Sequence, residues 1–416
     1  MKKGTQMFKS PRGTSDILPK DWQYWNYVIS KAENIARFYN YDRIETPVIE
    51  DSNLFLKSIG ANTDIVEKEM YIFPDHGGDN LSLRAEGTAP VCRAYLQHGL
   101  HNSSHPLRLY YISSMFRYDR PQAGRYRQFH QFGIELLGEE DYSADFEIIQ
   151  IAIKYLETLG LTKLKLLINN IGDLKDRKKY IQDLKKYFEN HLDTFNEQDR
   201  KRFEKNPLRL LDSKNINFNQ FIDIPKSIDY LNAEARLHWE NLLEQLDHFE
   251  ISYTIDHKLV RGLDYYNRTV FEIHPTTDGS QTAIIAGGRY DGLIEQLGGN
   301  PTPAIGFATG IERIILNLNE NLIHPIKKIQ ELWMVAYLGI NAKTEAIRIS
   351  DYLRQNKQVA VLGPNRSLKS QMRYASAIKA TKVIIIGDKE LTDSTIIIKD
   401  METGNQNTML LSKLTF

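Results

Sequence analysis

One cysteine, Cys92, stands in 416 residues. It allows no intramolecular disulfide and no cysteine-based zinc cluster, and it fits a reducing compartment. There is no run of about 18 apolar residues, the length a bilayer-spanning helix needs. The basic start, Met1-Lys2-Lys3-Gly4, is followed by no apolar stretch, which argues against a secretory leader. Net charge is missing too. The 53 Lys+Arg balance 53 Asp+Glu, so bulk electrostatics give no reason to expect nucleic-acid binding, and any basic surface must be local. Without a Gly-x-x-x-x-Gly-Lys-Ser/Thr segment a P-loop phosphate cradle is excluded. Neither His-Glu-x-x-His nor Cys-x-x-Cys is present to hold zinc, and the expectation is no metal bound by protein side chains. These absences leave a soluble, cytoplasmic protein, with about three domains expected from its length.

Organisation follows from changes of pattern along the chain. Trp22, Trp25, Val28, Ile29, Ala32, Ile35, Ala36 and Tyr39 recur at three- and four-residue steps, which predicts a helix from Asp21 to about Tyr39. Arg43 to Ile49 reads as extended, and Pro47, having no N–H, marks an edge or the end of pairing. Leu107 to Phe116 and Arg127 to Leu137 read as two strands of a hairpin with a long connection. Glycine then disappears between Gly172 and Gly262, while charged stretches such as Lys175-Asp176-Arg177-Lys178-Lys179 alternate with Leu, Ile and Phe. That pattern predicts a mostly helical insertion. Glycine returns from Arg261 to Gly310, before a helix-like Ile311-Glu312-Arg313-Ile314-Ile315, and the Asn-rich segment from Asn317 to Gln330 reads as a linker. Beyond it, the apolar runs Leu332 to Leu338, Val359 to Leu362 and Val383 to Ile386 alternate with helical stretches, as in a small α/β domain with a partly parallel sheet.

The hairpin carries the strongest chemical signal. Arg108, Arg117, Arg120, Arg125 and Arg127 are accompanied by one acid, Asp119. If the second strand is regular, Arg127, Phe129, Gln131, Gly133 and Glu135 share a face, leaving His130 on the other, where packing or hydrogen bonding would occupy it. A face bearing charges and an amide inside a large domain is costly unless water or a ligand satisfies it; an exposed sheet face with surface ion pairs is the plain alternative. Guanidinium forks match phosphate and carboxylate oxygens, and Gln131 and Glu135 suit a cationic part of the same ligand. A second group is Leu259-Val260-Arg261-Gly262-Leu263-Asp264-Tyr265-Tyr266: a glycine permits close approach, an arginine reaches, and two tyrosines stack or donate. An ordinary turn before an aromatic core strand would explain it equally. Third are Gly287-Gly288-Arg289-Tyr290-Asp291-Gly292 and Gly306-Phe307-Ala308-Thr309-Gly310-Ile311-Glu312-Arg313, where Arg313 near a helix start favours phosphate unless a surface acid takes it.

Taken in order, these segments, with Pro11-Arg12-Gly13-Thr14 and Leu83-Arg84-Ala85-Glu86-Gly87-Thr88, resemble the histidine–tRNA ligases, class II aminoacyl-tRNA synthetases. The resemblance spans nearly the whole chain; Ala85 stands where the family usually has proline and Ser15 where it has glutamine. It implies an α/β and α+β multidomain protein: an antiparallel-sheet catalytic domain over residues 1–171 and 251–325, a helical insertion over 172–250, and a C-terminal α/β anticodon-binding domain over 331–416. It also implies a homodimer with the segment around Pro47 at its interface, ATP as substrate with Mg²⁺, and L-histidine and tRNA(His) as partners. By the family pattern, Arg117 binds the α-phosphate and the amino acid carboxylate, and Arg125 and Arg313 bind ATP. Glu86, Thr88 and Gln131 hold the α-amine; Glu135 and Tyr266, with Tyr265 beside them, read the imidazole. Arg261 neutralises charge on the α-phosphate, and Arg120 and Gln122 meet the tRNA acceptor end.

The last module carries twelve Lys+Arg against eight Asp+Glu, a modest excess that suits contact with an RNA backbone and equally a solvated basic face. The main rival reading is a histidine-binding regulatory paralogue acting in histidine biosynthesis. Such paralogues generally lack the C-terminal module and several of these arginines. A class II synthetase for threonine or proline is a further rival, opposed by the Arg261–Tyr266 segment and Glu135.

Overall fold

The computed structural model describes residues 8–414 except 61, 62, 64, 121–123, 214, 215, 217, 219, 220, 222, 277–282 and 326–330. The chain divides into two compact units, Met1–Pro325 and Ile326–Phe416.

The first unit begins with α1 (Trp22–Phe38), which buries Trp25, Val28, Ala32, Ile35 and Ala36, the face its spacing predicts. The extended segment after it yields only two short strands, β1 (Asp42–Arg43) and β2 (Ile49–Asp51), with Pro47 unpaired between them. Helix α2 (Ser52–Ile59) starts where the Asp51 carboxylate accepts the Asn53 N–H. β3 (Ile72–Pro74) and β4 (Asn80–Leu83) join β2 in a three-stranded sheet. After α3 (Thr88–Gln97), the expected hairpin is formed by β5 (Leu107–Phe116) and β6 (Gln128–Leu137), antiparallel throughout. α4 (Tyr142–Thr158) and β7 (Leu164–Asn170) follow.

Within the glycine-free stretch, residues 172–250 hold α5 (Leu174–Glu189), α6 (Glu197–Lys205) and α7 (Ala233–His248), with no strand among their described residues. They pack in two places. Tyr180, Leu184, Phe188, Phe195, Phe203 and Phe221 form an aromatic cluster of their own, whereas Ala235, Trp239, Leu242 and Leu246 of α7 join the main core beside α4. The chain then returns to strands with β8 (Tyr253–Ile255), β9 (Asn267–Pro275), β10 (Ile285–Arg289), the short α8 (Leu293–Gln296), β11 (Ala304–Gly310) and α9 (Ile311–Glu320). The linker expected from Asn317 therefore begins too early. Ile311, Ile314 and Leu318 keep helical spacing and burial, so the helix continues to Glu320, and 326–330 lie outside the described residues.

The main sheet runs β1-β5-β6-β11-β10-β9-β7-β8. Its outer pairs, β1 with β5 and β7 with β8, are parallel, and all pairs between them are antiparallel. Alternation along each strand gives the sheet two unlike faces. Phe132, Ile134 and Leu136 of β6, Phe271 and Ile273 of β9 and Ile305 and Phe307 of β11 enter the core shared with α1, α4 and α9. The residues between them face the other way, and of these Glu272 and Gly306 line a cavity.

In the second unit the strand order is β13-β12-β14-β15-β16. It is built from β12 (Leu332–Tyr337), α10 (Ile340–Gln355), β13 (Val359–Leu362), α11 (Leu368–Ala377), β14 (Lys382–Ile386), α12 (Asp388–Thr392), β15 (Thr395–Asp400) and β16 (Gln406–Leu410). The three strands expected from the apolar runs are its parallel part; the antiparallel β15 and β16, less continuously apolar, are additional. Among the described residues no helix is long and apolar enough to cross a membrane.

Candidate active site

The polar face of the main sheet lines a cavity of about 810 Å³. Glu86 and Thr88 reach it from the start of α3, Arg117 and Arg125 from the hairpin, and Gln131 from β6. Arg261, Tyr265 and Tyr266 enter from the loop before β9, and Arg313 from the first turn of α9. Sequence positions nearly 230 residues apart thus meet because the antiparallel order places β6, β11, β10 and β9 side by side.

One end of the cavity is cationic. Arg117 donates from Nε to the Ala85 carbonyl (2.8 Å), and its guanidinium lies over the Phe129 ring, 5.6 Å from the centroid. Arg313 donates to the Ala283 carbonyl (2.7 Å) rather than to the surface acid that the plainer reading supplied. Burial, with the nearby guanidiniums of Arg125 and Arg117, holds the Arg313 guanidinium below its usual pKa. Arg125 is steadied by Asp119 at 3.2 Å. Arg261 pairs with Glu272 and lies 5.7 Å from the Tyr266 ring centroid.

The other end is acidic and aromatic. Glu86 accepts the backbone N–H groups of Thr88 (2.7 Å) and Ala89 (2.8 Å), and burial raises its carboxyl pKa against those bonds. Glu135 is fully enclosed: the Thr88 hydroxyl donates to one oxygen (2.8 Å) and the Tyr290 hydroxyl to the other (2.5 Å). Burial pushes its carboxyl up to about 8, opposed by those hydroxyl donors. β6 and β11 pair Glu135 with Gly306, where a Cβ would run into the Glu135 carboxylate, so this position must lack a side chain. The Tyr265 and Tyr266 rings are 4.7 Å apart, and the Tyr265 hydroxyl reaches Glu86 at 3.5 Å. Gln131 Oε1 is buried with no hydrogen-bond partner among the described residues, which suits a donor arriving with a ligand.

The hairpin arginines separate into two sets. Arg108 pairs with Glu147 at 3.1 Å, away from the cavity, and Arg127 lies 3.7 Å from the Tyr118 ring centroid with Nε donating to the Asp119 carbonyl. Both brace the structure: Arg108 is taken by Glu147 of α4, and Arg127 precedes β6, which begins at Gln128, so the expected alternation does not extend to it and it does not share the face of Gln131. Arg120 is exposed and does not line the cavity; Gln122 lies outside the described residues. His130 is on the opposite face, as alternation requires, where Glu312 accepts both its backbone N–H (3.0 Å) and a bond with Nδ1 (2.9 Å), and Trp25 packs edge-on.

Several lining residues escaped the sequence reading. Tyr290 lies inside a glycine-rich segment, where the glycines are the stronger local signal although a tyrosine hydroxyl is an available donor. Glu272 and His274 lie on β9, two residues apart, with a bond of 2.8 Å between them; their period-two spacing was the available signal. Arg202 and Arg209 reach the cavity from α6 and the turn that follows it, where a charged side chain is indistinguishable in sequence from a solvated face. Arg289, by contrast, is a structural residue, fully buried and held by Asp145 (2.7 Å), Asp291 (3.1 Å) and the carbonyls of Glu139 and Asp141.

Comparison with known proteins shows the family. A family model described as histidyl-tRNA synthetase matches residues 13–314, and one described as anticodon binding domain matches residues 333–415. A histidine–tRNA ligase of Dehalococcoides mccartyi is 47% identical over 414 residues, covering 98% of each chain. That of Thermotoga maritima is 44% identical over 401 residues, covering 96% of this chain and 95% of its own. The crystal structure of apo S. aureus histidyl-tRNA synthetase superposes with a TM-score of 0.82 at 38% identity, covering 98% of each chain. With one model spanning most of the chain and relatives this similar along its length, the chain belongs to the histidyl-tRNA synthetase family, the histidine–tRNA ligases of class II.

Proposed function

We propose that the protein ligates L-histidine to tRNA(His) at the expense of ATP, through a histidyl-adenylate. The observation that carries this reading is a single cavity with arginines at one end and the buried Glu86 carboxylate among tyrosines at the other, where a second buried carboxylate, Glu135, is enclosed directly behind the lining residues Thr88 and Tyr290. That polarity matches a reaction joining a triphosphate to a cationic amino acid.

In the first step a histidine carboxylate oxygen attacks the α-phosphorus of ATP and pyrophosphate leaves. The barrier lies mainly in aligning two anions and in charge on the phosphoryl oxygens, so fixed cations contribute more than a side-chain nucleophile would. Arg117 orients the carboxylate against the α-phosphate, Arg261 meets the charge developing there, and Arg125 and Arg313 hold the outer phosphates. Mg²⁺ brought by the nucleotide would supply further neutralisation of phosphate charge beside Arg125 and Arg313. The Glu272 carboxylate beside this site is engaged by Arg261 and His274. In the second step a ribose hydroxyl of the terminal adenosine of tRNA attacks the activated carbonyl and AMP leaves, giving the histidyl ester.

Selectivity rests on the acidic end. Glu86, Thr88 and the unpartnered Gln131 oxygen take the α-amine. Glu135 accepts an imidazole N–H alongside its two hydroxyl donors, and Tyr266 serves the other ring nitrogen, with Tyr265 packed against it. An apolar side chain would leave these buried groups unpaired, a penalty of ~10⁴-fold or more in comparable sites, so no editing module is needed. Arg120 and, by the family pattern, Gln122 meet the acceptor end. Residues 172–250 act as an insertion within a catalytic domain, the C-terminal unit binds the anticodon, and the working form is a cytoplasmic homodimer.

Pyrophosphate exchange into ATP, run with each of the twenty amino acids and Mg²⁺, tests the reading. Exchange with histidine alone supports it. Histidine binding in a calorimeter without exchange overturns it and points to a histidine-sensing regulator.

A further inference from the structure

Arg261 does not stand alone on its side of the cavity. Glu272 takes its guanidinium, and the second oxygen of the same carboxylate is held by His274 Nε2 at 2.8 Å. Glu272 and His274 are alternate residues of β9, so both project from the same face, and both line the cavity with Arg261. The strand beneath them is fixed on both sides: Glu272 lies opposite Ala286 and Leu167, and His274 opposite Lys165. Burial would raise the Glu272 carboxyl, but His274 and Arg261 together hold it below the usual range. An ionised carboxylate can only accept, so His274 Nε2 must carry the proton of this bond.

We propose that His274 is a positioning residue for adenylate formation, clamping the Glu272 carboxylate so that Arg261 is presented to the α-phosphate in one orientation. This rests on the function proposed above and names residues to which that function gave no part. The physical argument concerns freedom of rotation. A carboxylate bonded on one side only can swing with its arginine, and a long guanidinium side chain follows. With one oxygen fixed by a ring on a rigid strand, the other oxygen has a single position, and so does the guanidinium, which also rests against the Tyr266 ring. His274 need not touch substrate for this to matter, because misplacement of a charge-stabilising donor by a fraction of its length lowers the rate of the chemical step.

The full-length protein, its His274→Ala and its His274→Gln variants are compared in histidine-dependent pyrophosphate exchange, alongside thermal unfolding. The expected result is a kcat lower by about tenfold in His274→Ala. The KM for histidine stays within about twofold, since the acidic end is untouched. His274→Gln, whose amide N–H can reach the same oxygen, recovers most of the rate. An unchanged kcat in His274→Ala overturns the proposal. So does a loss that Gln does not repair while both variants unfold earlier, because that marks packing rather than positioning. If the unaltered protein shows no histidine-dependent exchange, the functional reading itself fails and this inference falls with it; exchange that is indifferent to His274 removes the inference alone.

Discussion

At one end of the cavity Arg117, Arg125 and Arg313 crowd together; at the other, Glu86 lines the wall and Glu135 is enclosed behind Thr88 and Tyr290, the two carboxylates within reach of one another's charge. Each end is repulsive in the empty protein, and the two respond differently. Guanidiniums keep their charge and rest on carbonyls, an aromatic face and one acid. Carboxylates shift their protonation instead, Glu135 up to about 8. An arginine end is thus charged whatever arrives, whereas a buried carboxylate end becomes fully charged when a cation enters. The contrast fits a site in which triphosphate affinity is general and amino acid choice is exacting.

Removing charge from the arginine end has the largest expected effect. Arg261→Ala slows single-turnover adenylate formation by on the order of 10²–10³, as loss of one charge-stabilising donor does elsewhere. An unchanged single-turnover rate removes Arg261 from the chemistry and leaves the two ends less different than described. Glu135→Gln tests the opposite end: the KM for histidine rises by on the order of tenfold or more while that for ATP changes little. An equal rise in both would break the division of labour.

A smaller effect sharpens the same division. In Tyr290→Phe, Glu135 loses one of its two hydroxyl donors, and histidine affinity falls by roughly tenfold, the value of one hydrogen bond to a charged group. Nucleotide affinity, measured by calorimetry, stays put; a parallel loss there would mean that the ends are coupled.

The smallest effect is on stability. The Glu135 carboxyl rises from 4.5 to about 8 on folding, so the native state binds more protons than the unfolded chain between those values. Stability of the ligand-free protein therefore falls as pH rises through that window. Glu135→Gln removes this contribution, so its melting temperature gains on the unaltered protein's as pH rises from about 5 to about 8. Parallel curves would show that Glu135 is not proton-coupled to folding.

Much of this was legible beforehand because period and punctuation are local properties. The spacing in α1, the alternation in β6 and the loss of glycine before α5 each determine a local conformation that tertiary packing did not overrule. The alternation alone put Gln131 and Glu135 on one face and His130 on the other. The failures are of another kind. Arg108 and Arg127 matched the hairpin's basic pattern but pair outside the cavity, and the linker expected from Asn317 is the second half of a helix whose buried stripe continues through Leu318.

Arg289 and Arg313 mark the limit most clearly. Both follow glycines, both lie near the cavity strands, and their neighbourhoods in sequence predict similar roles. By itself the sequence determined that strands and helices would occupy these stretches, and, through its family motifs, that arginines and acids would be present in number. Only the tertiary structure decided that Asp145, far away on α4, would meet Arg289 and neutralise it in the core, while Arg313 would find a single carbonyl and two like charges. The physical reason is that backbone conformation is set by neighbours along the chain. The charge an arginine can offer a ligand depends on which acids the fold brings within a few ångströms, and that is decided by strand order.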